Sequence, residues 1–248
     1  EHDSGSKVLF GQPVATGPDT INVIFTQKGV RVSEFIGEKL WSFFAYPDPS
    51  ASVVNTIAVA LRTNWNITDA LRAIFNHAEF RTTRAKQGLI RSPFEYAVAA
   101  MKHTGVPCSI AHPEWSIGDM GQMPFRPPNV AGWKQNDYWI SSSAVWAKGG
   151  FASGLRWHQY QAGALDGIDD LVADANGNTI YTNGQPSYVH DVAFSVQTAL
   201  NHHGIPVVSA ATRSALEQFV TAERATSRWA ERAGLLYLPL LTPEFQMG

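Results

Sequence analysis

Apolar residues recur three and four positions apart along most of this chain, and proline or glycine closes each run. That punctuation points to many short amphipathic helices rather than to a sheet. The clearest start is Ser92-Pro93-Phe94-Glu95. The Ser92 hydroxyl can accept from the Glu95 amide while the Glu95 carboxylate returns a bond to the Ser92 amide. Pro93 occupies the first helical position, where an N–H would be unpaired in any case. Phe94, Ala97, Val98 and Met101 form the expected stripe, and Gly105-Val106-Pro107 ends it.

The same logic predicts a short helix over 20–27 closed by Gly29, and a second from Ser33 with Phe35, Ile36, Leu40, Phe43 and Phe44, stopped by Pro47 and Pro49. Ser50 and Asn66 cap two more, the first carrying Val53, Val54, Ile57, Ala58 and Leu61, the second Ile67, Leu71, Ile74 and Phe75. Further helices are expected over 113–120, from Ser141–Ser143 to about Trp157, and over 190–203, 211–224 and 227–238. Residues 1–19 read as irregular. Residues 160–188 change character towards Asp, Asn and Gly and read as a local insertion; Leu171–Asp174 and Thr179–Thr182 around Asn-Gly give a small hairpin signal. The expectation is one all-α domain over 1–248, an irregular helical bundle with a long Pro/Gly/Trp loop and a minor β-hairpin.

Composition narrows the function classes. The formal net charge is −2 with 19 Lys and Arg scattered along 248 residues, so no basic field draws a nucleic acid. A single cysteine, Cys108, excludes an internal disulfide and a cysteine-rich metal site. No run approaches the roughly 18–20 apolar residues that span a bilayer. The charged fraction of 16% is low, as expected if one face is covered by another chain or domain. A start at Glu1 rather than Met suggests that something upstream is missing.

The loop from Met120 to Trp133, continued by Asp137-Tyr138-Trp139, is the richest candidate site. Its prolines stiffen the backbone, and Phe125, Trp133, Tyr138 and Trp139 supply flat apolar area with polar edges. Such rings can stack on sugar faces, with Gln122, Arg126, Asn129 and Asp137 to orient them. The alternative is a rigid plug over helix ends, its aromatics simply buried. Among the eight histidines, none shows ligand spacing: His190 and His203 stand thirteen positions apart, about 20 Å of helical rise. Metal is therefore not expected. Asp174, Asn176 and Asn178 alternate as in a calcium loop, but Gln185 stands where the bidentate Glu belongs, so only a weak calcium possibility remains. Cys108 and the serines 141–143 read as packing and capping residues. No catalytic residue can be assigned.

His2-Asp3-x-Gly5-x-Lys7-x-Leu9-x-Gly11, Ser92-Pro-Phe-Glu95, Met120-Gly-Gln-x-Pro-Phe-x-Pro-Pro-Asn-Val-Ala-Gly-Trp133, Trp139-Ile-x-Ser-Ser143 and Pro243-Glu-Phe-Gln246 together resemble the bacterial domain of unknown function 1800 family. The resemblance implies that this chain is the C-terminal half of a longer family domain. His2 and Asp3 would then lie at the interface with the missing N-terminal half of the same precursor. It also implies export, to the periplasm or outside the cell, and a sulfatase-like exported protein as a partner. It carries over no catalytic residue.

The expected function is thus a secreted or periplasmic protein that binds, or acts on, extracellular carbohydrate polymer, with Trp133, Trp139 and Tyr138 stacking on the ligand and Arg126, Asn129 and Asp137 hydrogen-bonding it. If it is an enzyme, the expectation is a hydrolase, a glycoside hydrolase in the first instance, with two facing carboxylates. The alternative is a structural or assembly module of a cell-envelope complex, without catalysis.

Overall fold

A computed structural model describes residues 3, 5–162, 181–182, 185–186, 191–224, 226 and 228–248. The fold is all-α with minor hairpins, and the chain divides into two compact units, Glu1–Leu89 and Ile90–Gly248. Among the described residues no helix is long and apolar enough to cross a membrane.

In the first unit, β1 (Lys7–Leu9) pairs antiparallel with β2 (Gln12–Val14). Phe10 and Gly11 turn between them with φ of 50° and 78°, the positive pair that a two-residue hairpin needs. Residues 1–19 read as irregular because phenylalanine, unlike Asn or Asp, does not announce a left-handed position.

Helix α1 (Gly17–Phe44) begins at a Thr16–Asp19 capping box and passes through Gly29, contrary to the expected stop. Instead the backbone kinks at Lys28 (φ −124°, ψ 18°) and the helix resumes. Helices α2 (Ala51–Asn64) and α3 (Ile67–Asn76) start at the expected caps, Ser50 accepting from the Val53 amide and Asn66 from the Thr68 amide. Their inner faces close a core of Trp41, Tyr46, Val53, Ile57, Leu61, Ala70 and Ile74. The Tyr46 hydroxyl donates to the Glu79 carboxylate, and the Arg84 guanidinium, in the short helix α4 (Thr83–Lys86), lies 3.9 Å above its ring. At Gly88 a Cβ would fall 2.2 Å from the Ala45 carbonyl oxygen, so the chain can pass there only without a side chain.

The second unit opens with α5 (Pro93–Thr104), whose capping box forms as the sequence predicts and whose Gly105 ends it in the left-handed region at φ 69°. Its buried face is rotated from the expected stripe. Tyr96, Ala97, Ala100 and Thr104 point inward, while Phe94 and Val98 are 49% and 43% exposed. Tyr96 can be buried because its hydroxyl lies within hydrogen-bond distance of the carbonyls of Lys148 (3.3 Å) and Leu240 (3.2 Å). Short helices α6 (Cys108–Ala111) and α7 (Pro113–Asp119) lead into the Pro/Gly/Trp loop, and α8 (Ser142–Ala162) follows it.

Strand β3 (Tyr181–Thr182) pairs with β4 (Gln185–Pro186); the other expected arm, 171–174, lies outside the described residues. Helices α9 (Val192–His202), α10 (Ala210–Arg224), α11 (Arg228–Tyr237) and α12 (Pro243–Gln246) complete the unit. Phe245 of α12 inserts beneath Tyr96 with ring centroids 5.7 Å apart. The Arg91 amide donates to the Gln246 carbonyl at 2.8 Å, and Ile90 bridges Met247, so the two ends of this unit are stitched together.

Candidate functional site

Helix α8 carries the most unusual surface in the second unit. Trp146 and Trp157 are 84% and 68% exposed, and eleven residues place them three turns apart on one face, separated by about 16 Å of rise. Between them on that face lie Gly149, Gly150, Ser153 and Gly154. Three glycines inside a helix cost roughly 1 kcal/mol each relative to alanine. Among the described residues packing does not demand them: a Cβ built on Gly149, Gly150 or Gly154 meets nothing within 4 Å. They leave a shallow trough between two exposed indoles.

The trough opens into a cavity of about 1210 Å³ bounded by Trp139, Trp146, Lys148, Ser153, Tyr237 and Gln246, among others. Its walls are mostly apolar, with the hydroxyls of Ser141, Ser142 and Ser153 interspersed. Lys148 is only 2% exposed. Its ammonium donates to the Arg91 carbonyl at 3.3 Å and lies 5.2 Å from the centroid of the Tyr96 ring. No carboxylate pairs with it among the described residues. Burial, with the Arg91 guanidinium adding to it, pushes the Lys148 ammonium down to about 8. Burial also pushes the Tyr96 phenol up. Gln246 leaves its Oε1 buried and without a donor. A buried cation and a side-chain amide thus stand in the wall of one cavity.

Comparison with known families bears on the whole chain: the sequence model of a family described as "Protein of unknown function (DUF1800)" matches residues 1–247. The chain belongs to the DUF1800 family. No curated protein and no solved structure matches it. The DUF1800 description names no reaction, so the chemistry of the site rests on its geometry.

Within this DUF1800 chain the loop residues singled out by sequence are dispersed. Trp139 is 3% exposed and forms part of the cavity wall. Trp133 is half-buried and packs on Trp139, centroids 6.1 Å apart, and the edge of Tyr138 meets Trp139 at 5.0 Å. Arg126, Asn129, Asp137 and Tyr138 are exposed and do not line the cavity. Part of the loop covers a helix end: Gln122 Oε1 accepts from the Phe94 amide at 2.8 Å, and Asn136 Oδ1 accepts from the Ile90 amide at 2.9 Å. Asn129 Oδ1 accepts from the Ala131 amide, a local turn.

Asp3, exposed in the first unit, accepts from the Gly5 amide and pairs with Lys7 at 3.8 Å. His2 and the calcium candidates Asp174, Asn176 and Asn178 lie outside the described residues. Cys108 is exposed at the start of α6. His103, His202 and His203 cluster, but His202 Nε2 faces the His103 carbonyl and both His203 nitrogens face carbonyls. No group of three His, Cys, Asp or Glu side chains that could hold a metal ion occurs among the described residues.

The sequence reading passed over α8 as a site. Its signal was present as Gly149, Gly150 and Gly154 inside a helical run, flanked by tryptophans at 146 and 157.

Proposed function

We propose that this DUF1800 chain binds an extracellular carbohydrate polymer along the outer face of α8, with Trp146 and Trp157 stacking on sugar faces and one unit entering the cavity against Trp139. The observation that carries this reading is the glycine trough between two exposed tryptophans, costly to the helix and unneeded by its packing among the described residues. Export of the protein, implied by the family resemblance, supplies the setting. Binding is preferred to hydrolysis because the described cavity wall carries no Asp or Glu, whereas glycoside hydrolysis ordinarily uses two facing carboxylates.

Retardation of the full chain in native gels containing soluble polysaccharides tests the proposal. Retardation by at least one polymer, reduced by Trp146→Ala or Trp157→Ala, is expected. Migration unchanged by every polymer, or retardation insensitive to both substitutions, contradicts it.

The second reading, an assembly module of a cell-envelope complex, is favoured by Phe125 and Val130, apolar side chains left fully exposed at the loop tip. A partner protein captured by the wild type and lost with Phe125→Ser would support that reading instead.

A further inference from the structure

We infer that the ligand of the α8 cavity carries an anionic substituent, a sugar carboxylate or sulfate ester, that pairs with Lys148. The inference rests on the carbohydrate reading and specifies its substrate class. A charged head taken out of water is costly unless something of opposite charge meets it. Lys148, at 2% exposure, has only a backbone carbonyl and an aromatic face for company among the described residues. The charge that acts on it is that of Arg91, another cation. A carboxylate close in sequence, Glu95, is committed elsewhere: its Oε2 accepts from the Ser92 amide at 2.8 Å in the α5 cap. Among the described residues, then, the pocket floor at Lys148 is positive and no carboxylate pairs with its ammonium.

Gln246 adds the second half of the pattern. Its side-chain amide stands in the same cavity wall, a hydrogen-bonding partner for a hydroxyl on a group that brings its anion to Lys148. An acidic or sulfated sugar offers both on one ring, and the indoles of Trp139 and Trp146 offer flat faces to that ring. A neutral sugar satisfies Gln246 and leaves the ammonium buried and unpaired.

The test uses the full chain and calorimetric titration with two matched pairs: an oligogalacturonate against its methyl ester, and a sulfated galactan oligosaccharide against its desulfated form. The expected result is that one anionic member binds roughly tenfold or more tighter than its neutral partner, and which pair shows it identifies the anion. That preference collapses in Lys148→Met and in Lys148→Gln, each checked for folding by thermal melting, and persists in Lys102→Met, which removes an exposed lysine of the same unit. Equal affinity within both pairs, or a preference that survives loss of Lys148, overturns the inference and leaves the carbohydrate reading standing. Failure of all four oligosaccharides to bind overturns the inference, and the carbohydrate reading falls with it only if no polymer retards the chain in the native gels.

Discussion

The Lys148 ammonium lies 5.2 Å from the centroid of the Tyr96 ring, and the Tyr96 hydroxyl reaches back to the Lys148 carbonyl at 3.3 Å. Both ends of this lysine are therefore fixed by one buried phenol. An amine held so firmly without a counter-ion lowers stability whenever it is charged. Replacement by an apolar side chain of similar length removes that burden.

Lys148→Met is expected to raise the free energy of unfolding at pH 7 by about 1–4 kcal/mol, measured by urea denaturation. The folded-state amine titrates at about 8, below its ordinary 10.5. The unfolded chain therefore binds the extra proton between those values, and wild-type stability rises with pH across that window. The advantage of Lys148→Met should be full below pH 8 and shrink towards pH 10.5. A variant less stable than the wild type at pH 7 would contradict this.

A second pH dependence belongs to His203, which is buried with Nδ1 2.8 Å from the Ala199 carbonyl and Nε2 3.0 Å from the Leu236 carbonyl. Burial pushes its imidazole down to about 4 from an ordinary 6.5. The unfolded ring thus takes up a proton first as pH falls, and the stability His203 contributes is complete above 6.5 and lost progressively towards pH 4. Burial lowers His103 in the same direction. Urea midpoints measured from pH 7 to pH 4 should fall in the wild type and fall less steeply in His203→Gln. Parallel slopes would assign the decline to other groups.

How far the sequence could be read follows from these side chains. The α5 start was legible because Ser92, Pro93 and Glu95 act on their own backbone, within three residues. The caps at Ser50 and Asn66 were legible for the same reason. The buried face of α5 was not, because Tyr96 ranks as less apolar than Phe94 until its hydroxyl finds carbonyls 52 and 144 residues away. The kink at Lys28 escaped for a related reason: whether Gly29 ends or merely bends a helix is decided by tertiary contacts. Of the aromatic residues that the loop offers, Trp139 stands in the cavity wall. The trough on α8 was missed because helix-interior glycines carry no positive signal until the described surroundings are seen to leave room beside them.

A buried ion pair in the second unit gives a third expectation. Arg224 Nη2 meets Glu231 Oε1 at 2.7 Å and also donates to Ser195 Oγ at 2.9 Å, joining α9, α10 and α11. Removing the carboxylate takes from a largely buried guanidinium the charge it meets at 2.7 Å. Glu231→Ala should cost about 3–5 kcal/mol, read as a lowered urea midpoint. A loss within about 0.5 kcal/mol, the scale of an ordinary surface substitution, would show that the pair contributes little.

The most direct test of the α8 cavity is carbene footprinting of the full chain with and without a retarding polysaccharide, read by peptide mass spectrometry. Protection is expected to concentrate in residues 139–157 and 237–247, with the loop tip around Phe125 and the first unit unchanged. Protection confined to the loop tip or to the first unit, with 139–157 labelled as heavily as in the free protein, would contradict it.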